Sequence, residues 1–265
     1  MPVNPDLVKE RERATFNVEA LTNLLDGGAD RTARRRQIEA AIQRDPTGVF
    51  DNSQNIYMHR TERHVQALAK HTRMIEIARK LGIGNECQGE VTHSADFPLL
   101  LQAVADDLPT SLHWVMFVPN IVSLCDEEQQ KRWLPLCRDW RMIGCYAQTE
   151  LGHGSNVRAL ETTATFVADG NGDGNFVINS PTLTSTKFWP GTLGRTANHA
   201  IVIARLIDGQ GIDRGIHNFL VPLRSMEDHT LLKGVQTGDI GPKIGYNVMD
   251  NGFARFDNVV IPRRK

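Results

Sequence analysis

The chain has 265 residues, enough for one large domain or two small ones, and its formal net charge of −1 gives no electrostatic pull toward nucleic acid or a membrane surface. Residues 1–13 are polar and charged, unlike a signal peptide, and the most apolar run, residues 112–124, is interrupted by His113, Pro119 and Asn120 and too short to span a bilayer. Cys87, Cys125, Cys137 and Cys145 show neither C-x-x-C spacing nor disulfide-rich density, which predicts reduced, mostly packed thiols in an intracellular compartment.

From Pro5 to about Trp140 the periodicity is helical. Asn17 is placed to cap a short helix carrying Leu21, Leu24 and Leu25, and Gly27 and Gly28 end it. A second helix is expected over residues 32–44, stopping before Pro46. The longest is expected over residues 61–81, with Val65, Leu68, Thr72, Ile75, Ala78 and Leu81 on its buried face. Another covers residues 97–105. Residues 111–124 are apolar nearly all round and are expected inside the bundle. Asp126 reads as an N-cap, with Glu127 and Glu128 where the helix dipole favours negative charge.

After Arg141 short runs rich in Thr, Val, Ile and Phe alternate with glycine or asparagine turns. Strands are expected near residues 142–149, 161–168, 175–181, 199–206, 216–223 and 252–260. Residues 169–174, DGNGDG, begin like an EF-hand loop, but Ser180 stands at the twelfth position and the flanks read as strands, so a hairpin turn is the reading. The fold class is therefore multidomain α and β. An N-terminal helical bundle, residues 1–140, precedes a mainly antiparallel, barrel-like β-domain, residues 141–265.

Two stretches concentrate site-like residues. In residues 146–157, YAQTELGHGSNV, a strand ends at Thr149 and Glu150 and opens into a polar glycine turn. In residues 187–194, KFWPGTLG, an aromatic pair sits beside proline and glycines. The two loops are expected to face one ligand, with Trp189 stacking on a flat ring. G-H-G-S-N-V lacks the last glycine of the dinucleotide fingerprint and leads into a strand, which argues against a Rossmann site. No histidines stand at metal-ligand spacing, so no metal is assigned. His113 reads as a hydrogen-bonded core residue, His153 as a ligand contact or a surface histidine, and Trp133 and Trp140 as packing residues.

YAQTELGHGSN, LETTATF, NSPTLTSTKFWPG, LGRTANHA and GDIGPKIGYNVMDNG, together with LHWVMFVPNI and EEQQKRWLPLC, resemble the peroxisomal acyl-CoA oxidases over nearly the whole chain. FDNVVIPR resembles the close of the middle domain in the wider acyl-CoA dehydrogenase superfamily. The resemblance implies helices, then a β-domain, then C-terminal helical domains that this chain does not contain.

It also implies bound FAD, a fatty acyl-CoA substrate, a homodimer and a peroxisomal location. Flavin contacts map onto Thr149 and Gly191, with Gln148 at the flavin's polar edge and Trp189 closing over the ring. Ser155 matches a position that contacts the acyl-CoA chain. Phe188 departs from a usual tryptophan, and Thr192 from a usual glycine, placing a Cβ in a tight loop.

The implied reaction is α,β-desaturation of a fatty acyl-CoA, with dioxygen reduced to hydrogen peroxide. The family's base is a glutamate in the C-terminal helical region, so no catalytic residue is assigned here, and this chain alone is expected to be inactive. Glu150 is set aside as serving its own loop. The alternatives are a non-catalytic, partner-dependent fragment and a dehydrogenase that passes electrons to a flavoprotein.

Overall fold

Local chemistry sets the helix boundaries in the computed structural model, which describes residues 3–85, 91–170 and 173–263. The helices are α1 (Pro5–Glu12), α2 (Val18–Asp26), α3 (Ala29–Gln43), α4 (Arg60–Lys80), α5 (Phe97–Val104), α6 (Val118–Leu124) and α7 (Glu127–Arg138). The Asn17 side chain accepts from Ala20 N, and Gly27 closes α2 in the left-handed conformation that glycine adopts without a Cβ clash. Asp126 and Gln129 form a reciprocal capping box at α7. Among the described residues, no helix is long and apolar enough to cross a membrane.

Compactness groups the chain into two units: residues 1–51 with 73–105, and residues 52–72 with 106–265. The change from helices to strands falls between Arg138 and Gly144. In the first unit α3 packs on α2 and α5, and buries Ile38 and Ile42. Arg34 and Arg73 pair with Asp96 and Asp45 at 2.6 and 2.5 Å.

Two helical expectations need correction. The buried stripe of α4 includes His64, Ala67, Lys70, His71, Met74, Ile75 and Ala78, whereas Val65 and Thr72 are exposed. His64 and Lys70 occupy this stripe because their partners are supplied from elsewhere, whereas one ring nitrogen of His71 has none. Lys70 Nζ donates to Asp106 at 2.5 Å, and Arg63 makes a bidentate pair with the same carboxylate. Residues 111–124 are likewise not buried all round. A π-helical turn, His113–Phe117, leads into α6, and Val115, Val122 and Leu124 face solvent.

The strands are β1 (Gly144–Ala147), β2 (Thr163–Ala168), β3 (Gly174–Asn179), β4 (Lys187–Phe188), β5 (His199–Ile207), β6 (Asp213–Pro222), β7 (Val235–Asp239), β8 (Gly252–Phe256) and β9 (Val259–Pro262). Among the described residues they form a six-stranded and a three-stranded sheet, the latter in the order β4-β8-β7. Most pairings are antiparallel. The exceptions centre on β5, which pairs parallel with β1 through His199–Val202 and with β2 through Arg205–Ile207. The expected single strand over residues 252–260 is two strands in different sheets, separated by Asn258 in the left-handed conformation. β4 and β7 were not expected. β2 and β3 pair as the predicted hairpin, although Asn171 and Gly172 of its turn lie outside the described residues.

The sequence HAIVIARLI explains why β5 is central. Its inner residues are buried on both faces, so the run is apolar without alternation. Ala200, Val202 and Ala204 enter one core with Phe219, Val221 and Phe256. Ile201 and Ile203 enter another with Phe117, Ile121 and Cys137. Cys125, Cys137 and Cys145 are free thiols, and Cys87 lies outside the described residues.

Candidate functional site

Gln148 and Thr149 follow β1 directly, and Trp189 follows β4. Phe188 N donates to Thr149 O at 2.9 Å, and Glu150 bridges Lys187, so the two predicted loops lie side by side. Lys187 is wholly buried. Its ammonium donates to Gln148 O at 3.1 Å, Ile203 O at 2.7 Å and Glu150 Oε1 at 3.1 Å. Burial pushes it down to about 8, against the charge of Glu150, which holds it up.

Glu150 is a structural anchor, as expected. Burial opposes its charge, but Lys187, the Thr162 hydroxyl and the backbone N–H groups of Glu161 and Thr162 outweigh that and hold the carboxyl below its ordinary value. His153 turns to the same carboxylate, with Nδ1 at 3.0 Å. Glu150, His153 and Glu161 bring three potential metal-ligand atoms within 4.8 Å of one another, but the oxygens of Glu150 are already engaged.

The loop after β4 is held from the opposite side. Trp189 N donates to Gly252 O at 3.0 Å, Gly252 N to Pro190 O at 2.9 Å, and Asn251 Nδ2 to Trp189 O at 2.7 Å. Gly252 has no alternative here, because a Cβ would lie 2.4 Å from Gly194 N. Trp189 has φ 85° and Thr192 φ 69°, both in the region that side chains disfavour. For Thr192 the departure from glycine is tied down: the residue is fully buried and its hydroxyl donates to Pro109 O at 3.0 Å.

A third segment completes the surface. Asn247 closes residues 243–247 on themselves, accepting from Lys243 N at 2.7 Å and donating to Lys243 O at 2.8 Å. Arg60 donates to Asn247 O at 3.0 Å and Met249 O at 3.4 Å, and pairs with Asp239 at 2.9 Å. His64 Nδ1 meets Val248 O at 2.8 Å. A carbonyl only accepts, so this contact places the proton on Nδ1. Lys243 Nζ donates to Met249 O at 2.9 Å, and burial, followed by the nearby Arg60, lowers its pKa.

The three segments line a cavity of about 700 Å³. Gln148, Thr149, Trp189 and Gly191 all reach it. Ser155 does not: it is exposed on the turn. A Cβ on Gly191 would lie 2.7 Å from Met249 Sδ and 3.2 Å from Leu112 Cδ1, so what abuts it is protein. Tyr146, Leu112, Lys243, Tyr246, Met249 and Asn251 also line the cavity and were not singled out. For residues 241–252, GPKIGYNVMDNG, the available signal was a third polar loop rich in glycine and asparagine. His113, as expected, is a bonded core residue: it accepts from Gly144 N at 3.1 Å.

Residues 17–143 match the family described as "Acyl-coenzyme A oxidase N-terminal", and residues 145–259 the "Acyl-CoA dehydrogenase, middle domain". Peroxisomal acyl-coenzyme A oxidase 1 of Bos taurus is 43% identical over 264 residues, covering 98% of this chain and 38% of that protein. The solved acyl-CoA oxidase 1 of Arabidopsis thaliana superposes with a TM-score of 0.86 at 42% identity, covering 97% and 37%. An acyl-CoA oxidase-2 of Caenorhabditis elegans bound with FAD, ascaroside-CoA and ATP gives 0.82 at 36%, covering 98% and 38%. The order of helices then curled sheet is thus that of the acyl-CoA dehydrogenase and oxidase class of oxidoreductases. Within it, this chain belongs to the acyl-CoA oxidase family and covers the N-terminal portion, about 38% of the length of its curated relatives.

Proposed function

We propose that the chain supplies one wall of the flavin site in an FAD-dependent acyl-CoA oxidase that desaturates fatty acyl-CoA to the trans-2-enoyl-CoA and yields hydrogen peroxide. The observation that carries this reading is the meeting of Gln148 and Thr149 with Trp189, Pro190 and Gly191 around one cavity. About 700 Å³ is within the range of small-molecule sites.

The residues present suit a flavin. Gln148 and Thr149 offer carbonyl, amide and hydroxyl groups to a polar ring edge, while Trp189 offers an aromatic face. Gly191 leaves room for Met249, which keeps the wall smooth against a flat ring. A flavin held there would supply hydride-acceptor chemistry that dioxygen can reoxidise. This chain's part is to orient the ring and exclude water. No base is assigned, since Glu150 is held by its own loop. Ser155 is kept as a contact for the acyl-CoA chain, residues 1–140 and 141–265 as the two domains, and the whole protein as a peroxisomal homodimer.

The test uses the whole protein containing this chain. It should show flavin absorbance, consume oxygen and release peroxide with palmitoyl-CoA. Reduction of an artificial acceptor without peroxide would instead mark a dehydrogenase, and absence of flavin a non-catalytic protein. Gly191→Leu, which displaces Met249 into the cavity, should abolish flavin absorbance. Unchanged absorbance would remove Gly191 from the site.

A further inference from the structure

The charge inside the cavity is lopsided. Lys243 is the only cationic side chain among the described residues lining it, and none of those residues is acidic. The neighbouring acids Asp239 and Asp250 favour the Lys243 charge from outside the lining, while its ammonium donates to Met249 O. Asp239 is taken by Arg60 and Arg195, and one oxygen of Asp250 by the N–H groups of Arg195 and Thr196. Lys243 is also fixed in place. Asn247 closes its turn on both backbone groups, and its Nζ is anchored on Met249 O at 2.9 Å. An ammonium has three protons, and this carbonyl engages one. A fixed, half-buried cation without a counter-charge in the cavity wall selects an anion, because a partly desolvated charge gains most from a charge-assisted partner.

We propose that Lys243 is the anion-reading residue of this cavity and takes a phosphate of the ligand. This deepens the flavin reading and rests on it in part. The phosphate belongs either to the flavin nucleotide or to coenzyme A, and both present the same chemistry to Nζ. Lys243 would set affinity and leave the ring contacts to Trp189 and Thr149.

The experiment titrates the flavin-free form of the whole protein containing this chain with riboflavin, FMN and coenzyme A, comparing wild type with Lys243→Met and Lys243→Arg. Riboflavin carries the ring without phosphate, so unchanged riboflavin binding shows that the variants keep the fold. If the flavin phosphate is read, wild type prefers FMN to riboflavin, Lys243→Met reduces that preference by about tenfold, and Lys243→Arg largely keeps it. If coenzyme A is the source, Lys243→Met weakens coenzyme A by a similar factor and leaves the FMN-to-riboflavin ratio alone. FMN and coenzyme A both indifferent to Lys243→Met, with riboflavin still bound, overturns the inference and spares the flavin reading. No riboflavin or FMN binding, with Lys243-dependent coenzyme A binding, does the reverse. Failure of all three to bind wild type overturns both.

Discussion

Two walls of the cavity are built on opposite principles. The wall of Gln148, Thr149 and Trp189 is fixed by buried ionic groups, the Lys187 ammonium and the Glu150 carboxylate, each satisfied by several partners. The wall of residues 243–251 is held from behind by side chains that reach backbone carbonyls, from Arg60, His64 and Lys243. It leaves Ile244 and Tyr246 exposed to solvent. The first wall is therefore costly to break and slow to deform. The second yields in small steps, since each carbonyl contact is worth little alone.

The sharpest break is Glu150→Ala. It strands the Lys187 ammonium in the interior, and removing one partner of a buried pair costs about 3–5 kcal/mol. Urea unfolding of Glu150→Ala, Lys187→Met and the double variant should show a double-variant loss smaller than the two single losses added. Additive losses would mean that the two groups do not act as a pair.

Acid attacks the same wall from below. Burial holds His71 down to about 3 and His113 and His199 down to about 4, from an ordinary 6.5. His113 accepts from Gly144 N, at the start of the strand that carries Gln148. Above pH 6.5 these imidazoles are neutral in both folded and unfolded chains. Below it the unfolded chain takes up protons that the folded chain refuses, so stability falls from pH 6.5 toward about 4, by roughly 1.4 kcal/mol per pH unit for each histidine. The urea midpoint should drop across that window. His71→Met should flatten the slope, because it removes the imidazole that burial holds furthest below its ordinary value, and one ring nitrogen of His71 has no hydrogen-bond partner to lose. An unchanged slope would exclude His71.

On the second wall, Arg60→Met removes the pair with Asp239 and both carbonyl contacts, for a loss of about 2 kcal/mol. It should also raise hydrogen exchange across residues 240–250 while leaving residues 144–150 protected. A uniform rise would show that the two walls are one cooperative piece.

Thr192 gives the smallest effect and the finest comparison. Thr192→Val keeps the shape and loses the bond to Pro109 O, at about 1 kcal/mol. Thr192→Gly loses the same bond but relieves a strained left-handed residue, worth roughly 1–3 kcal/mol. The glycine variant should therefore be at least as stable as the valine variant. The reverse order would mean that φ 69° carries no strain at this position.

Much of this was legible in the chain because the signals are local. Asn17, Gly27 and Asp126 act within a few residues of the helix ends they set. The strand-to-turn change at Thr149 and the Trp-Pro-Gly loop marked one wall without reference to anything distant, and the family resemblance rested on the same blocks. The helical first part and the sheet after it followed from periodicity alone.

Tertiary structure decided what depends on remote partners. Periodicity gives the spacing of a helix face but not which face is buried. In α4 the buried face carries His64 and Lys70, acceptable only because Val248 and Asp106 supply their partners. The parallel pairing of β1 and β2 with β5, and the division of residues 252–260 between two sheets, likewise depend on strands far apart in the chain. Residues 243–251 became a cavity wall because Arg60, 187 positions before Asn247, reaches their carbonyls. A hydrogen bond across such a distance leaves no trace in local composition, since a backbone carbonyl can serve as acceptor whatever its side chain.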